Sequence, residues 1–126
     1  MKVYHGTNKA FEKFDSNQIG KNTSDICSAT SAGFFFTDDI EYARQYANYC
    51  ANTLGGEATI LECEIELDNP ESFLTSDYEA WNGEELKEAL LAENFDGAII
   101  YNSFESGGQK EFLVLDESQI QITGIA

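Results

Sequence analysis

The sequence predicts an α+β fold, in which strands mostly follow strands and two helices are inserted among them. Three observations support this prediction. A phenylalanine-rich segment leads directly into a helical pattern over 33–50, a cleanly alternating segment follows over 58–67, and further short apolar segments precede the C-terminus. The chain has 126 residues, a length that fits a single domain spanning 1–126 with its own core.

The segment 33–50 is the element around which the other segments are arranged. Phe34–Phe36 predicts a short buried strand. The Thr37-Asp38-Asp39 run after it supplies side-chain oxygens that can cap a helix. Asp38 and Glu41 have the spacing of a capping box, which predicts that the helix begins close to Asp38.

The helical pattern carries a tyrosine stripe beside its apolar face. Apolar residues recur at helical intervals up to Gly55, whose tolerance of left-handed backbone angles predicts the helix end. Tyr42, Tyr46 and Tyr49 form the stripe, at i, i+4 and i+7. Aromatic groups facing one another across a crevice can hold a flat ring, so strand and helix together define a candidate binding crevice. The alternative is that these aromatic side chains are simply core.

The first segment, Lys2–Thr7, predicts a strand that carries His5, the one histidine in the sequence. Gly6 follows it and would let a ligand approach the backbone closely. A histidine in this setting is also compatible with a purely structural role. The polar stretch Ser16–Ala32 predicts a long loop, and loops of that length often cover sites.

The later segments complete the predicted set of elements. Residues 58–67 alternate between apolar and acidic side chains, which predicts a half-buried strand. Helix-start signals at Ser76 and Asn82 precede a second helix, residues 98–101 predict a short buried strand, and residues 102–108 predict a polar loop. A final alternating strand leads to the C-terminus.

The segment Lys110–Asp116 predicts a strand in which Glu111 shares one face with Leu113 and Leu115. A carboxylate aligned with two leucines is costly unless it is paired or lies at the edge of a cleft. Gln109 lies on the same side if the strand extends that far. Glu111 is therefore a candidate catalytic residue, and the alternative places it at a solvated strand end.

The charge of the chain is strongly acidic and unevenly distributed. There are 23 acidic and 7 basic residues, for a net charge of −16. Residues 1–21 carry a net charge of +2, so the remainder carries −18. Such a body repels nucleic acid phosphates, whereas the small positive region could accept an anionic ligand. Solubility is one explanation of the acidity; attraction to a basic partner and mimicry of a nucleic acid backbone are others.

The remaining composition predicts a reduced, soluble protein in the cytoplasm. The three cysteines are an odd number without metal-like spacing, so we expect free thiols and no metal site. There is no N-terminal apolar run that would indicate a signal peptide. No segment approaches the ~18 apolar residues that a membrane span requires, so no membrane partner is expected.

Three motifs occur in a specific order: HGT at His5–Thr7, GFFFTDD at 33–39 with Tyr46 further along the helix, and QKEFLVLDESQI at Gln109–Ile120. This order resembles the catalytic domain of ADP-ribosyltransferases, in the diphtheria-toxin-like and poly-ADP-ribose-polymerase-like branch with a His-Tyr-Glu signature. The resemblance spans nearly the whole chain. It implies an ADP-ribosyltransferase-like split β-sandwich with a few flanking helices, NAD as co-substrate and no metal.

The resemblance also implies roles for individual residues. Glu111 would be catalytic, His5 would bind the adenine-side ribose, and Gln109 would help to choose the acceptor. The Gly6 backbone would hold the nicotinamide carboxamide, while Phe35 and Tyr46 would sandwich the nicotinamide ring. The implied NAD-binding residues are His5, Gly6, Thr7, Phe35, Tyr42, Arg44 and Tyr46.

The sequence departs from the family pattern at three positions. Phe35 stands where the signature has a tyrosine, which keeps a stacking surface but loses a hydroxyl. Ala43 stands where the polymerases carry a serine that contacts the carboxamide. Arg44, the only arginine, lies on the helix and not on the first strand, so the Arg-Ser-Glu branch fits poorly.

The resemblance implies an NAD-dependent mono-ADP-ribosyltransferase that modifies a side chain of a protein target and releases nicotinamide. The small size argues against chain elongation, and a short acidic transferase fits a toxin, an effector or a phage-encoded host-modifying protein. The negative charge of the chain beyond residue 21 predicts a protein target and no direct binding of nucleic acid. In one interpretation that target is basic. The alternatives are an NAD glycohydrolase and a non-enzymatic acidic protein that blocks a nucleic-acid-binding partner by charge mimicry.

Overall fold

The computed structural model of the protein describes residues 1–8, 33–74, 83–101 and 110–126. Within these ranges the chain forms seven strands, two α-helices and one short 3-10 helix. The strands are β1 (Lys2–Thr7), β2 (Phe34–Thr37), β3 (Thr59–Ile65), β4 (Pro70–Leu74), β5 (Gly97–Tyr101), β6 (Lys110–Val114) and β7 (Ile120–Ile125). The helices are α1 (Ile40–Leu54) and α2 (Gly83–Ala92), and the 3-10 helix is Glu117–Gln119.

The strands are joined in the order β4-β5-β6-β2-β1-β3-β7. β4 and β5 are parallel, and the other neighbouring strands are antiparallel. The weakest joint lies between β1 and β2, which pair only where Tyr4 faces Thr37, whereas β1 and β3 pair at six positions. The sheet therefore divides into a first half (β1, β3, β7) and a second half (β2, β4, β5, β6).

The two halves pack against each other through one apolar core. Alternation within each strand places every second side chain in this core. The buried residues of the core are Val3, Leu61, Cys63 and Ile65 from the first half and Phe34, Phe36, Phe112 and Val114 from the second half. The predicted α+β split sandwich is thereby confirmed.

Each helix covers the outer face of one half. α2 buries Leu86 and Leu90 against a cluster that includes Leu113 of β6. α1 buries Ala43 and Ala47 against Ile60 of β3. Because residues 111, 113 and 115 alternate with residues 112 and 114, Leu113 and Leu115 join the α2 cluster while Phe112 and Val114 fill the inner core, as the sequence predicted.

The start of α1 differs from the prediction. The helix is capped by Asp39 and not by Asp38: an Asp39 carboxylate oxygen accepts hydrogen bonds from the backbone N–H groups of Glu41 (2.9 Å) and Tyr42 (3.3 Å). The reason is that β2 continues to Thr37, whose hydroxyl accepts a hydrogen bond from the Asp39 N–H at 3.1 Å. Asp38 is therefore the corner residue, one position before the cap.

One strand was not predicted, and several predictions lie outside the described residues. β4 begins at Pro70, and at the edge of a sheet the missing N–H of a proline need not interrupt a ladder. The loop over Ser16–Ala32, the helix start at Ser76, the loop over 102–108 and the position of Gln109 fall outside the described ranges.

Candidate active site

α1 crosses β1 at very close range, and Gly6 makes this approach possible. A Cβ atom added at Gly6 would overlap the carbonyl oxygen of Ala43 and lie 2.8 Å from the backbone nitrogen of Ala47. The space above Gly6 is thus filled by helix backbone, which corrects the expectation that this face of the glycine admits a ligand. The small side chains of Ala43 and Ala47 serve the same close packing.

The backbone polar groups of Gly6 point instead toward β2. Met1 and Ile65 form a hydrogen-bonded pair across β1 and β3, with N···O distances of 3.2 and 3.0 Å. Bonded and non-bonded pairs alternate along an antiparallel ladder. Counted along β1 from the bonded Met1–Ile65 pair, Gly6 and Ile60 form a non-bonded pair. Ile60 accordingly accepts a hydrogen bond from Ala126 on its other side, at 2.9 Å. The Gly6 N–H and C=O are therefore directed into the gap between β1 and β2.

Glu111 lies opposite Thr37, the residue of β2 that pairs with β1, and its carboxylate is held by α1. The Tyr42 hydroxyl donates a hydrogen bond to Glu111 Oε1 at 2.9 Å. Partial burial, the nearby charge of Glu111 and this hydrogen bond together raise the pKa of Tyr42 well above its usual range. Tyr42 is therefore a neutral phenol at ordinary pH, and Glu111 is the acceptor of the hydrogen bond.

Tyr46 lies one turn further along the same flank of α1. Its side chain is partly buried, and its hydroxyl is hydrogen-bonded to the thiol of Cys50. Burial raises the pKa of Tyr46, with the charges of Cys50 and Glu111 acting in the same direction. The predicted stripe is thus real at these two positions, and it faces the end of β6 that carries Glu111.

The junction between β2 and α1 fixes the start of β6. The Thr37 hydroxyl donates to the carbonyl oxygen of Lys110 at 3.2 Å, and the Lys110 ammonium lies 3.6 Å from Asp38. Thr37 stands directly opposite Glu111 in the β2–β6 register. Thr37 therefore joins β2 to β6 through its hydroxyl, and Asp38 forms an ion pair with Lys110 of β6. Asp39 caps α1. Sequence reasoning missed the first two roles, because they depend on the pairing of β2 with β6.

His5 and Phe35 meet at the joint between the two halves. His5 Nδ1 lies 2.6 Å from the Phe35 carbonyl oxygen, and the imidazole ring is 5.6 Å from the ring of Phe36. The His5 side chain belongs to the inner-core face of β1, since His5 is paired with Leu61. Phe35 points to the opposite face of the second half, on the same side as Thr37 and Glu111, and packs on the α2 cluster.

Arg44 and Thr7 are the remaining candidate NAD-binding residues. Arg44 is on the other flank of α1, where it pairs with Glu41 and lines a separate open groove of about 680 Å³. The structure does not bring Arg44 together with Tyr42, Tyr46 and Glu111. Thr7 is buried at the end of β1, and its hydroxyl has no hydrogen-bond partner within the described part of the chain.

The described ranges contain no group of three or more histidine, cysteine or carboxylate side chains arranged to hold a metal ion. Cys50 and Cys63 are buried, and neither forms a disulfide within the described part of the chain. Neither helix in the described part of the chain has the length and apolar character needed to span a bilayer.

A split sandwich in which a first-strand histidine bonds across the β1–β2 joint and a late-strand glutamate is held by a helix tyrosine has the features of an ADP-ribosyltransferase-type domain. Comparison with protein families agrees: residues 1–123 match the family described as ADP-Ribosyltransferase in polyvalent proteins. The chain belongs to this family. No curated protein and no solved structure gives a significant match to the chain.

Proposed function

We propose that the protein is an NAD-dependent mono-ADP-ribosyltransferase that modifies a side chain of another protein. The observation that carries the proposal is the position of Glu111, whose carboxylate is partly buried, bonded to Tyr42 and carried opposite Thr37, the residue of β2 that pairs with β1. ADP-ribosyltransferases use NAD as their substrate, and the family membership of the chain supports the same co-substrate here.

The groups around the gap fit the nicotinamide end of NAD. A carboxamide has one donor and one acceptor face, which match the C=O and N–H of Gly6. Tyr46 supplies an aromatic surface on α1, and Phe35 supplies another on β2. His5 is held by the Phe35 carbonyl at the same joint, and this contact supports its predicted role toward the adenine-side ribose.

The chemistry requires a negative charge close to the ribose. The glycosidic bond between ribose and nicotinamide breaks ahead of nucleophile attack, so positive charge develops on the sugar as it does in glycosidases. The Glu111 carboxylate would stabilise that charge and accept the proton of the incoming acceptor. Nicotinamide leaves with the bonding electron pair, and the lone pair of the acceptor forms the new bond to the sugar carbon.

The charge of the protein supports a protein acceptor. A net charge of −16 repels phosphate backbones, whereas it attracts a basic protein surface. The residue type that is modified is left open, with asparagine, glutamine and arginine as candidates. A toxin, effector or phage-encoded protein that modifies its target in the cytoplasm fits a small acidic transferase of this kind.

The test is incubation with NAD labelled in its ADP-ribose part, together with a cell extract, followed by measurement of free nicotinamide and of label on proteins and nucleic acids. Nicotinamide release with label on proteins is the expected result. Release without labelled macromolecules would establish a glycohydrolase, and label confined to nucleic acid would contradict the proposed acceptor. Absence of release at millimolar NAD, with salt-sensitive binding to a basic protein, would favour the charge mimic.

A further inference from the structure

We propose that Tyr42 is a positioning residue, which orients the Glu111 carboxylate and does not form part of the surface that binds the nicotinamide ring. The effect that we expect on catalysis depends on the proposed transferase function. The contact itself depends only on the structure, in which the Tyr42 hydroxyl donates a hydrogen bond to Glu111 Oε1 at 2.9 Å.

The hydrogen bond has a fixed direction. An ionised carboxylate can only accept, and a phenol can donate. The pKa of Tyr42 is raised, chiefly by burial, so the phenol keeps its proton across the range in which proteins function. Hydrogen bonds to ionised groups are shorter and stronger than neutral ones, so this bond restrains the carboxylate of Glu111 against rotation.

Both partners are anchored by their own elements. Tyr42 lies in the first turn of α1, where its backbone N–H is bonded to the capping carboxylate of Asp39. Glu111 is the second residue of β6, and the residue before it, Lys110, is tied to Thr37 and Asp38. Two residues 69 positions apart in the chain are thus held at bonding distance by a capped helix and a paired strand.

Tyr42 and Tyr46 have different hydroxyl partners, and this difference separates their roles. The Tyr46 hydroxyl is bonded to Cys50 on its own helix. The Tyr42 hydroxyl is bonded to the residue expected to stabilise the transition state. Removal of the Tyr42 hydroxyl should therefore reduce turnover, whereas changes at the Tyr46 ring should act on NAD affinity.

The experiment compares Tyr42→Phe with Tyr101→Phe. The control makes the same chemical change in β5, outside the tyrosine stripe; because Ile100 is the residue paired with Glu111, Tyr101 lies on the opposite strand face from Glu111. For Tyr42→Phe we expect kcat for nicotinamide release to fall about 10- to 100-fold, since a donor to a charged group is lost, with the dissociation constant for NAD within about twofold of the parent. The control should change neither quantity.

A double variant shows whether Tyr42 acts through Glu111. If it does, adding Tyr42→Phe to Glu111→Gln should cause little further loss of kcat, because residues that act as one unit are non-additive. Independent, multiplying effects would overturn the proposal. So would a Tyr42→Phe enzyme that keeps its kcat or loses mainly NAD affinity. Thermal unfolding of each variant verifies that it is folded.

A spectroscopic measurement tests the contact between Tyr42 and Glu111 without requiring turnover. The ¹³C resonance of the Glu111 side-chain carboxylate, assigned with Glu111→Gln, should move in Tyr42→Phe and stay in place in Tyr101→Phe. An unmoved resonance in Tyr42→Phe would overturn the proposed contact even in an active enzyme. If the parent protein released no nicotinamide, the transferase proposal would fail, while this measurement would still show whether Tyr42 holds Glu111.

Discussion

The imidazole of His5 bonds through Nδ1 to the carbonyl oxygen of Phe35 at 2.6 Å, across the one joint of the sheet where the strand backbones pair at a single position. A carbonyl oxygen only accepts hydrogen bonds, so Nδ1 carries the proton and the neutral ring presents Nε2 as an acceptor. The side chain of His5 thereby adds a link between two strands that the backbone joins weakly.

The first prediction concerns pH and stability. Burial lowers the pKa of His5 from its ordinary value, and the hydrogen bond to Phe35 opposes this only in part. The unfolded chain therefore binds a proton more readily than the folded chain as pH falls below about 6.5, so the histidine costs stability at acid pH. We expect the free energy of unfolding of the parent, relative to His5→Gln, to fall by at most about 1.4 kcal/mol per pH unit below that point.

Urea unfolding of the two proteins between pH 5 and 8 measures this difference. The comparison cancels the titration of the many carboxylates, which both proteins share. Glutamine keeps a donor for the Phe35 carbonyl and does not titrate. A difference in stability that stays constant over this pH range would contradict the assignment of a partly buried, neutral His5.

The second prediction concerns Glu111. Glu111→Gln keeps the shape of the side chain and removes the charge that would face the developing cation, so we expect a loss of about 3 to 4 kcal/mol of transition-state stabilisation, or ~10² to 10³ in kcat. NAD affinity should be retained. Steady-state kinetics and calorimetry measure the two quantities, with Glu66→Gln, an exposed carboxylate of the first half, as control. Turnover within a few-fold of the parent would show that Glu111 is not catalytic.

The third prediction concerns the contact of α1 with β1. Gly6→Ala would force a methyl group into backbone atoms of Ala43 and Ala47, which cannot move without shifting the helix. We expect a loss of about 1 to 3 kcal/mol in the free energy of unfolding. Gly124→Ala in β7 is the matched control, because a Cβ there meets nothing within 4 Å. Equal stability of the two variants would mean that the helix lies further from β1.

The fourth prediction separates the two aspartates before α1. Asp39→Ala removes the cap from two backbone N–H groups and should cost about 1 kcal/mol. Asp38→Ala removes an ion pair with Lys110 in which both side chains are more than one third exposed, and should cost less, ~0.2 to 1 kcal/mol at most. Chemical denaturation of both variants at low and high salt distinguishes them, since salt screens the exposed ion pair more strongly than the hydrogen-bonded cap. A larger cost at Asp38 would favour the capping-box prediction.

Much of the fold could be predicted from the sequence because local patterns decide it. Strict alternation over β3 and the placement of Glu111 with Leu113 follow from the two-residue period of a strand. The end of α1 at Gly55 follows from glycine's freedom at a positive φ, which is 83° here. β4 was missed because five residues beginning with proline carry too little periodicity, and its strand character depends on pairing with β5.

The candidate site was only partly predictable, because its contacts join distant segments. The helix spacing placed Tyr42 and Tyr46 on one flank, but nothing local indicates that one hydroxyl meets Glu111 and the other meets Cys50. The same limit applies to Gly6, where the sequence indicated a close approach but not that the backbone of α1 fills the space at the Cβ position. Arg44 is close to Tyr42 and Tyr46 in the sequence, but successive residues of a helix point in different directions. Its side chain therefore lies on the other flank of α1.

The pairing of β2 with β6 and of β1 with β3 also has a kinetic consequence. Each pair joins segments that are far apart in the chain, so a large loop must close before either pair forms. Proteins dominated by such non-local strand contacts fold in roughly milliseconds to seconds, far more slowly than helical bundles of similar length. Stopped-flow refolding should therefore show α1 helicity or general collapse before Tyr42 reaches Glu111, and the enzyme should become competent only in the slowest major phase.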